Sequence, residues 1–302
     1  MAIKTGIVLL NWNNWQNTYS CLESFRSLPH SKSELTYYLV DNGSQDESAF
    51  KRQALEDIHL ILLAEHLGFA GGSNYGIQAA LRDGCDYILL FNNDAYPKGD
   101  FLAPLLEVFQ QDARAGISSP KIYYASPPGK IWYAGGKFHP PRLIGEMVGM
   151  GEVDKGQHDR ARKVDFAVGC CMLIRSKVFE AIGLLDPAYF FYLEDIDFSY
   201  RATQAGFSIW YQPAASIVHD VSLSTRDNLP QRMYLYSQSR IVFLVKHMRG
   251  YKIALVIAME AVRMLRTVIR HVWRGETSLA SSYIKGSISG VQKGRQKTAE
   301  AG

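Results

Sequence analysis

Tyr87-Ile88-Leu89-Leu90-Phe91-Asn92-Asn93-Asp94-Ala95-Tyr96-Pro97 is the stretch from which the rest of the chain is read. Its apolar run, Ile88 to Phe91, is short enough for a buried central strand. It gives way at once to Asn92, Asn93 and Asp94. Polar side chains just past the carboxyl end of a strand sit where open α/β sheets bind ligands. A carboxylate there can hold a divalent ion, and the ion can hold a diphosphate. The same residues also fit a polar turn that Pro97 brings to a stop.

Towards the N-terminus the pattern repeats. Thr5 to Leu10 reads as a strand ending in Asn11-Trp12-Asn13-Asn14, and Thr18 to Ser27 as a helix with Leu22 and Phe25 facing inward. Thr36 to Val40 is a second strand, ending in Asp41-Asn42-Gly43-Ser44, after which Asp46 or Ser48 can cap a helix. His59 to Leu63 is a third strand. Gly68-Phe69-Ala70-Gly71-Gly72-Ser73-Asn74-Tyr75-Gly76 then leads, as a glycine-rich loop, into a helix that runs through Leu81. Such a loop either brings backbone N–H groups close to a phosphate or sugar or is a tight βα turn. Strands alternating with helices over residues 1–110 predict a parallel α/β sheet. Asp41 and Asp94 then lie on one edge, which suits a nucleotide, with one acid near the base or ribose and the other near a metal and diphosphate. The dinucleotide spacing of glycines is missing after the first strand, where Asn11-Trp12-Asn13 stands.

Towards the C-terminus, residues 111–165 are broken by prolines and glycines, and 145–163 reads as an exposed loop. Trp132 and Tyr133 suit either the core or a sugar face. Val164 to Ile174 reads as one strand, and Val178 to Ile182 as a short helix closed by Gly183. Tyr189-Phe190-Phe191-Tyr192-Leu193-Glu194-Asp195-Ile196-Asp197 follows, opening a helix that runs to Ala205. Three acids in a first turn suit the helix dipole. A carboxylate at the lip of an aromatic pocket is also a candidate general base, because partial desolvation raises its proton affinity. Ser208 to Tyr211 and Ser216 to Val218 read as two short strands. The second delivers His219, which is either structural or a metal ligand beside Asp94.

In this order the motifs resemble those of inverting family 2 glycosyltransferases, most closely the rhamnosyltransferase-like branch, over residues 4–245. The resemblance implies a GT-A fold, a Rossmann-like mixed sheet for nucleotide-diphospho-sugars, over residues 1–230. A basic helical extension over 231–302 follows, with a disordered tail from Ser287. It implies a metal-dependent transfer of a sugar, L-rhamnose from dTDP-L-rhamnose or a UDP-linked hexose or galactofuranose. The acceptor is then a hydroxyl of a lipid-linked or oligosaccharide glycan. Asp195 of the Glu194-Asp195 pair is implied as the base, and Asp94 and His219 as ligands of Mn2+ or Mg2+. Asn11, Asp41, Gly71, Asn74, Asn92, Asn93 and Arg226 are implied on the donor side, with Arg240 as a further contact for diphosphate or acceptor. Asn92 stands where the family's metal motif has its first aspartate. That departure leaves open a catalytically degenerate scaffold that only binds the nucleotide-sugar.

The 302 residues are 47% hydrophobic, enough for one large domain or one domain with an appendage. No signal peptide and no membrane span is expected. Cys21, Cys85, Cys170 and Cys171 have no metal-like spacing and are expected as reduced, buried thiols of a cytoplasmic protein. The net charge of +4 hides an asymmetry: residues 231–302 hold 13 Lys/Arg against 3 Glu, and residues 1–230 hold 20 against 26 acids. Residues 231–275 are predicted helical, with Arg263, Arg266, Arg270 and Arg274 near one face. Such a helix either meets a membrane surface or packs on the catalytic domain with a solvated basic face. A polyprenyl-diphosphate-linked acceptor in this family implies the inner face of the plasma membrane. No nucleic-acid partner is expected.

Overall fold

The computed structural model describes residues 3–28, 33–46, 57–140, 144–221, 228–248 and 252–300. The helix expected after Asp46 or Ser48 lies outside them. The opening strand is β1 (Ile3–Asn11), flanked by β2 (Ser33–Asp41) and β4 (Tyr87–Asn92), with β3 (Ile58–Leu62) beyond β2, all parallel. On the other side of β4 the sheet continues through β11 (Cys171–Arg175), β6 (Ala115–Tyr124), β12 (Ser208–His219) and β10 (Arg162–Val164). Here β11 runs antiparallel to both β4 and β6, and β12 runs parallel to β6. Two short strands hang off this path: β5 (Ala95–Lys98) pairs with β12, and β7 (Ile131–Tyr133) with β6. A separate hairpin joins β8 (Gly136–His139) to β9 (Ile144–Met147).

The decisive run is the middle of this sheet. Ile88, Leu89, Leu90 and Phe91 are all essentially inaccessible. Strand alternation sends Leu89 and Phe91 to one face, where α1 (Trp15–Arg26) and α3 (Leu102–Gln111) cover them. Ile88 and Leu90 go to the other face, under α2 (Gly68–Arg82), α4 (Ser176–Ile182) and α5 (Glu194–Gln204). Each fully buried side chain of this size contributes about 1.5–3 kcal/mol, so the two-sided core is what holds β4 at the centre.

Several expectations change. The glycine-rich stretch is not a loop: α2 begins at Gly68 itself. The glycines serve close approach, since a Cβ on Gly72 would lie 2.7 Å from Leu10 Cδ1 and one on Gly76 would lie 2.6 Å from Val8 Cγ1. The run from Val164 to Ile174 is two strands, with Gly169 and Cys170 turning between β10 and β11. The strands around Pro213 are one, β12, with a register shift between Gln212 and Ser216. The segment 145–163 carries parts of β9 and β10, and the buried Lys121 ammonium binds the carboxylates of Asp154, at 2.8 Å, and Asp159. All four cysteines are buried and unpaired.

The C-terminal part folds as α6 (Leu229–His247), α7 (Lys252–Trp273) and α8 (Thr277–Glu300). The expected boundary at residue 230 falls inside α6, which packs Val242 and Phe243 against Tyr189 and Leu193. Residues 287–300, expected as disordered, are helical. In α8, Gly286, Gly290 and Gly294 recur every fourth residue against α6: a Cβ on Gly286 would stand 2.2 Å from Tyr234 O, and one on Gly290 2.5 Å from Gln238 O. A stripe of small residues lets two helix backbones meet. That contact offsets the roughly 0.8–1.0 kcal/mol that each helical glycine costs.

Candidate active site

Parallel pairing sets the site. Asn11 lies opposite Asp41 and Leu10 opposite Asn92, so β2, β1 and β4 end level with one another. After β4 the chain reverses into β5, whose Ala95 pairs with His219 at the end of β12. That register brings His219 Nε2 to 3.1 Å from Asp94 Oδ1, although 125 residues separate them. Asn92 Nδ2 is 3.4 Å from the same nitrogen. Trp132 meets the imidazole edge-on with ring centroids 4.7 Å apart, while Tyr133 is core and donates to Phe166 O. Asp94 and His219 are both buried.

A cavity of about 740 Å³ opens over this edge. Asn92, Asn93 and Asp94 form its floor, Phe190, Phe191 and Tyr192 one wall, and Asn228, Gln231, Arg232 and Leu235 from α6 another. Asn93 is held by a bond from its Nδ2 to Thr18 Oγ1. Asn11 and Asp41 lie just behind the lining. Asn11 accepts from Thr18 Oγ1 at 2.8 Å, and Asp41 Oδ1 accepts from the Ser44 N–H at 2.9 Å. Asn42 lines the cavity and clamps the start of α2, accepting from Leu67 N and donating to Gly68 O. Asn74 spends both ends of its amide on the backbone of Leu185, and Gly71 is buried where a Cβ would meet Leu67. Neither is among the lining residues. Arg226 lies outside the described residues. Arg240 is buried under α7, with its guanidinium 3.1 Å from Glu260 Oε1.

The acidic pair stands across a turn from Asp94. Tyr192 and Leu193 both have left-handed backbone, at φ 71° and 66°, a conformation that costs about 1–3 kcal/mol per non-glycine residue and clusters at functional sites. They deliver Glu194 and Asp195 to the N-terminus of α5. Asp195 is half-buried, and its carboxylate accepts 2.7 Å bonds from the N–H groups of Gly169 and Ile196. The next residue, Cys170, accepts from Asn92 N at 2.9 Å through its carbonyl. The turn Gly169-Cys170 thus binds Asp195 through its first residue and Asn92 through its second. Burial raises Glu194 well above the ordinary carboxyl range, with Asp195 adding to it, and Glu194 Oε2 is buried without a hydrogen-bond partner among the described residues. Burial also raises Asp195, but its two N–H donors oppose the rise. Of the pair, Asp195, with its two N–H donors, is the more readily ionised.

Three cavity residues escaped the sequence. Trp12 and His66 meet edge-on with centroids 4.3 Å apart, and His66 stacks on Phe190 at 5.0 Å. Burial lowers the pKa of His66, in keeping with Nδ1 accepting from Gly68 N. Arg232 donates from Nε to Tyr192 Oη at 3.2 Å, and no other Lys or Arg is among the described lining residues. Trp12 follows a strand end as Asn92 does, a signal that was available. Arg232 and His66 carry no such mark.

The donor set can be tested against a divalent ion. Among the described residues no three or more His, Cys, Asp or Glu side chains converge on a metal position. The protein offers one carboxylate and one imidazole side by side. That fits Mg2+ or Mn2+ taking its remaining ligands from phosphate oxygens and water.

A mixed sheet with a cavity over its carboxyl edge, Asp94 beside His219 there, and Glu194 and Asp195 at a nearby helix N-terminus is the arrangement of a GT-A protein. The chain belongs to glycosyl transferase family 2, whose sequence pattern matches residues 7–183. A low-salt glycan biosynthesis hexosyltransferase of Haloferax volcanii is 28% identical over 219 residues, 68% of this chain and 66% of its own length. The chain thus spans just under two thirds of that relative. An N-acetylglucosaminyl-diphospho-decaprenol L-rhamnosyltransferase of Mycobacterium tuberculosis is 25% identical over 236 residues, covering 70% of this chain and 75% of its own. The crystal structure of GalNAc-T7 with UDP, GalNAc and Mn2+ matches with a TM-score of 0.67 at 15% identity. The match covers 83% of this chain and 49% of that one, and the likeness is one of fold.

Proposed function

We propose that the protein is an inverting glycosyltransferase that moves a sugar from a nucleotide-diphosphate donor to an acceptor hydroxyl, with Asp195 as the base. The observation that carries this is the placement of two different acid sites around one turn. Asp94 faces His219 on one side, and Asp195, raised but ionising before Glu194, stands on the other. The donor lies with its diphosphate over Asn92-Asn93-Asp94, and Asp41 lies behind the nucleoside end. Asp94 and His219 would hold Mn2+ or Mg2+, which supplies positive charge to the departing diphosphate. Arg232, bonded to Tyr192 in the cavity lining, adds positive charge. Asp195 takes the proton of the hydroxyl as its oxygen attacks the anomeric carbon opposite the leaving group, so the configuration inverts. Glu194, whose burial disfavours its charged form, opposes a second negative charge beside the base.

L-rhamnose from dTDP-L-rhamnose is the favoured donor, and a glycan on a polyprenyl diphosphate the favoured acceptor. The named activity of the Mycobacterium relative supports the L-rhamnosyl group and the polyprenyl diphosphate of the acceptor. Such an acceptor places the protein peripherally on the inner membrane face, in the synthesis of a bacterial surface polysaccharide. The test is thermal stabilisation by dTDP, UDP and GDP, each with and without Mn2+ or Mg2+. At a hundredfold excess over Kd, binding adds about 2.7 kcal/mol. A metal-dependent shift led by dTDP is expected. A shift led by UDP redirects the donor to a UDP-hexose or galactofuranose, and no shift with any nucleotide overturns the proposal.

A further inference from the structure

Among the described residues, one face of α7 has no protein partner. Leu255, Val262, Leu265, Ile269, Val272 and Trp273 are all exposed, Trp273 by 88%. At 100° per residue they share an arc of about 100°. The opposite side is buried: Val256 packs on Leu244 and Met248 of α6, and Glu260 pairs with Arg240. Isolated exposed apolar side chains are ordinary, but a continuous stripe along a helix marks a surface that something covers.

The charge beside the stripe selects the partner. Arg266, Arg270 and, just past the helix, Arg274 are exposed along one border of the arc. The only acid within α7, Glu260, is buried in its pair with Arg240. A second copy of the chain would bring the same uncompensated arginines to the contact. Anionic headgroups complement them, while the acyl boundary takes the apolar arc and Trp273 lies at the level of the headgroups. No helix of the described residues is long and apolar enough to cross a membrane, so the contact is interfacial.

We infer that α7 is a lipid-docking helix that lies in the surface of an anionic bilayer, along the stripe from Leu255 to Trp273. The inference takes the membrane setting from the proposed function and adds the face that makes the contact. Its geometry also has a direction. Arg240 and Glu260 lock α7 to α6, and α6 carries Arg232 and Leu235 into the cavity. Docking through α7 therefore fixes the cavity relative to the lipid surface.

The experiment is vesicle flotation of the full chain with phosphatidylcholine alone and with phosphatidylcholine mixed with phosphatidylglycerol. Wild type, the double variant Leu265→Glu with Ile269→Glu, and the double variant Arg266→Glu with Arg270→Glu are compared. Wild type is expected to float with the anionic vesicles only, and each variant to lose at least tenfold in partitioning, while the wild-type melting temperature is kept. Equal flotation of wild type and variants, or no flotation of wild type, overturns the inference. So does a wild-type dimer, by light scattering, that Leu265→Glu with Ile269→Glu converts to monomer, because a second copy then covers the stripe. The nucleotide shift is measured on the same samples. Flotation as expected with no nucleotide shift supports the docking face and removes the donor reading alone.

Discussion

Asp195 and Glu194 differ by one position and by one pair of hydrogen bonds, and that difference separates their acidities. Asp195→Asn is expected to lower kcat by at least about a hundredfold while leaving the nucleotide-induced shift in melting temperature unchanged. A variant with near wild-type turnover would remove it as the base. Glu194→Gln tests the partner. A carboxyl whose folded pKa is raised favours the folded state only while protonated, so its cost grows as pH rises above the unfolded value of 4.5. Glu194→Gln should therefore raise the melting temperature at neutral pH, and the gain should vanish below about pH 4.5. Asp94→Ala is expected to abolish the metal-dependent part of nucleotide stabilisation, whereas Asn74→Ala should act on stability, through the Leu185 backbone it holds. Asn92 and Asp94 were legible as residues of the sheet edge because a short apolar run ends just before them, and His219 as the neighbour of Asp94 because it too ends a strand. Asn74 was misread because a polar residue among glycines looks exposed until the helix direction is known. Arg232 could not be read, since its place depends on where α6 docks.

The third acid of the same helix turn works between elements. Asp197 is fully buried and binds Arg201 within α5 and Lys246 and His247 on α6 at 2.7–2.9 Å. Burial pushes its carboxyl up, but His247, Arg201 and Lys246 more than offset this and hold it well below its ordinary value. A depressed carboxyl contributes stability that is present above its unfolded value, near 3.8, and is lost as pH falls through the folded one. Asp197→Asn should cost about 3–5 kcal/mol at neutral pH, the range for stranding buried partners. Denaturant unfolding from pH 7 to pH 3 should show the gap to wild type narrowing in acid. In α8, Gly290→Leu should destabilise by about 1–3 kcal/mol by overpacking against α6, whereas Ile288→Ala, at an exposed position, should stay within about 0.5 kcal/mol. The alternation of strand and helix was plain in the sequence because apolar runs are local. The helical state of α8 was not, because a polar segment with Gly286, Gly290 and Gly294 looks disordered unless the four-residue spacing is taken as a packing stripe.

For the whole molecule, α6 belongs to both halves: it walls the cavity, binds Asp197 and carries α7 and α8. A chain ending at Met248 would bare the α6 backbone that α8 covers at Tyr234 and Gln238. That truncation is expected to aggregate or melt several degrees lower in differential scanning fluorimetry. Point changes on α7 are therefore the cleaner probe of its surface. The antiparallel register of β5 with β12 bears on how such enzymes diverge. Because Ala95 and His219 are neighbours across two strands, the pairing of Asp94 with His219 is ruled by a ladder rung and is indifferent to the length of chain between them. The β8–β9 hairpin can then lengthen, shorten or be exchanged among relatives while Asp94 and His219 keep their places. Chimeras that exchange the β8–β9 hairpin and keep Trp132, Asp154 and Asp159 should keep nucleotide binding.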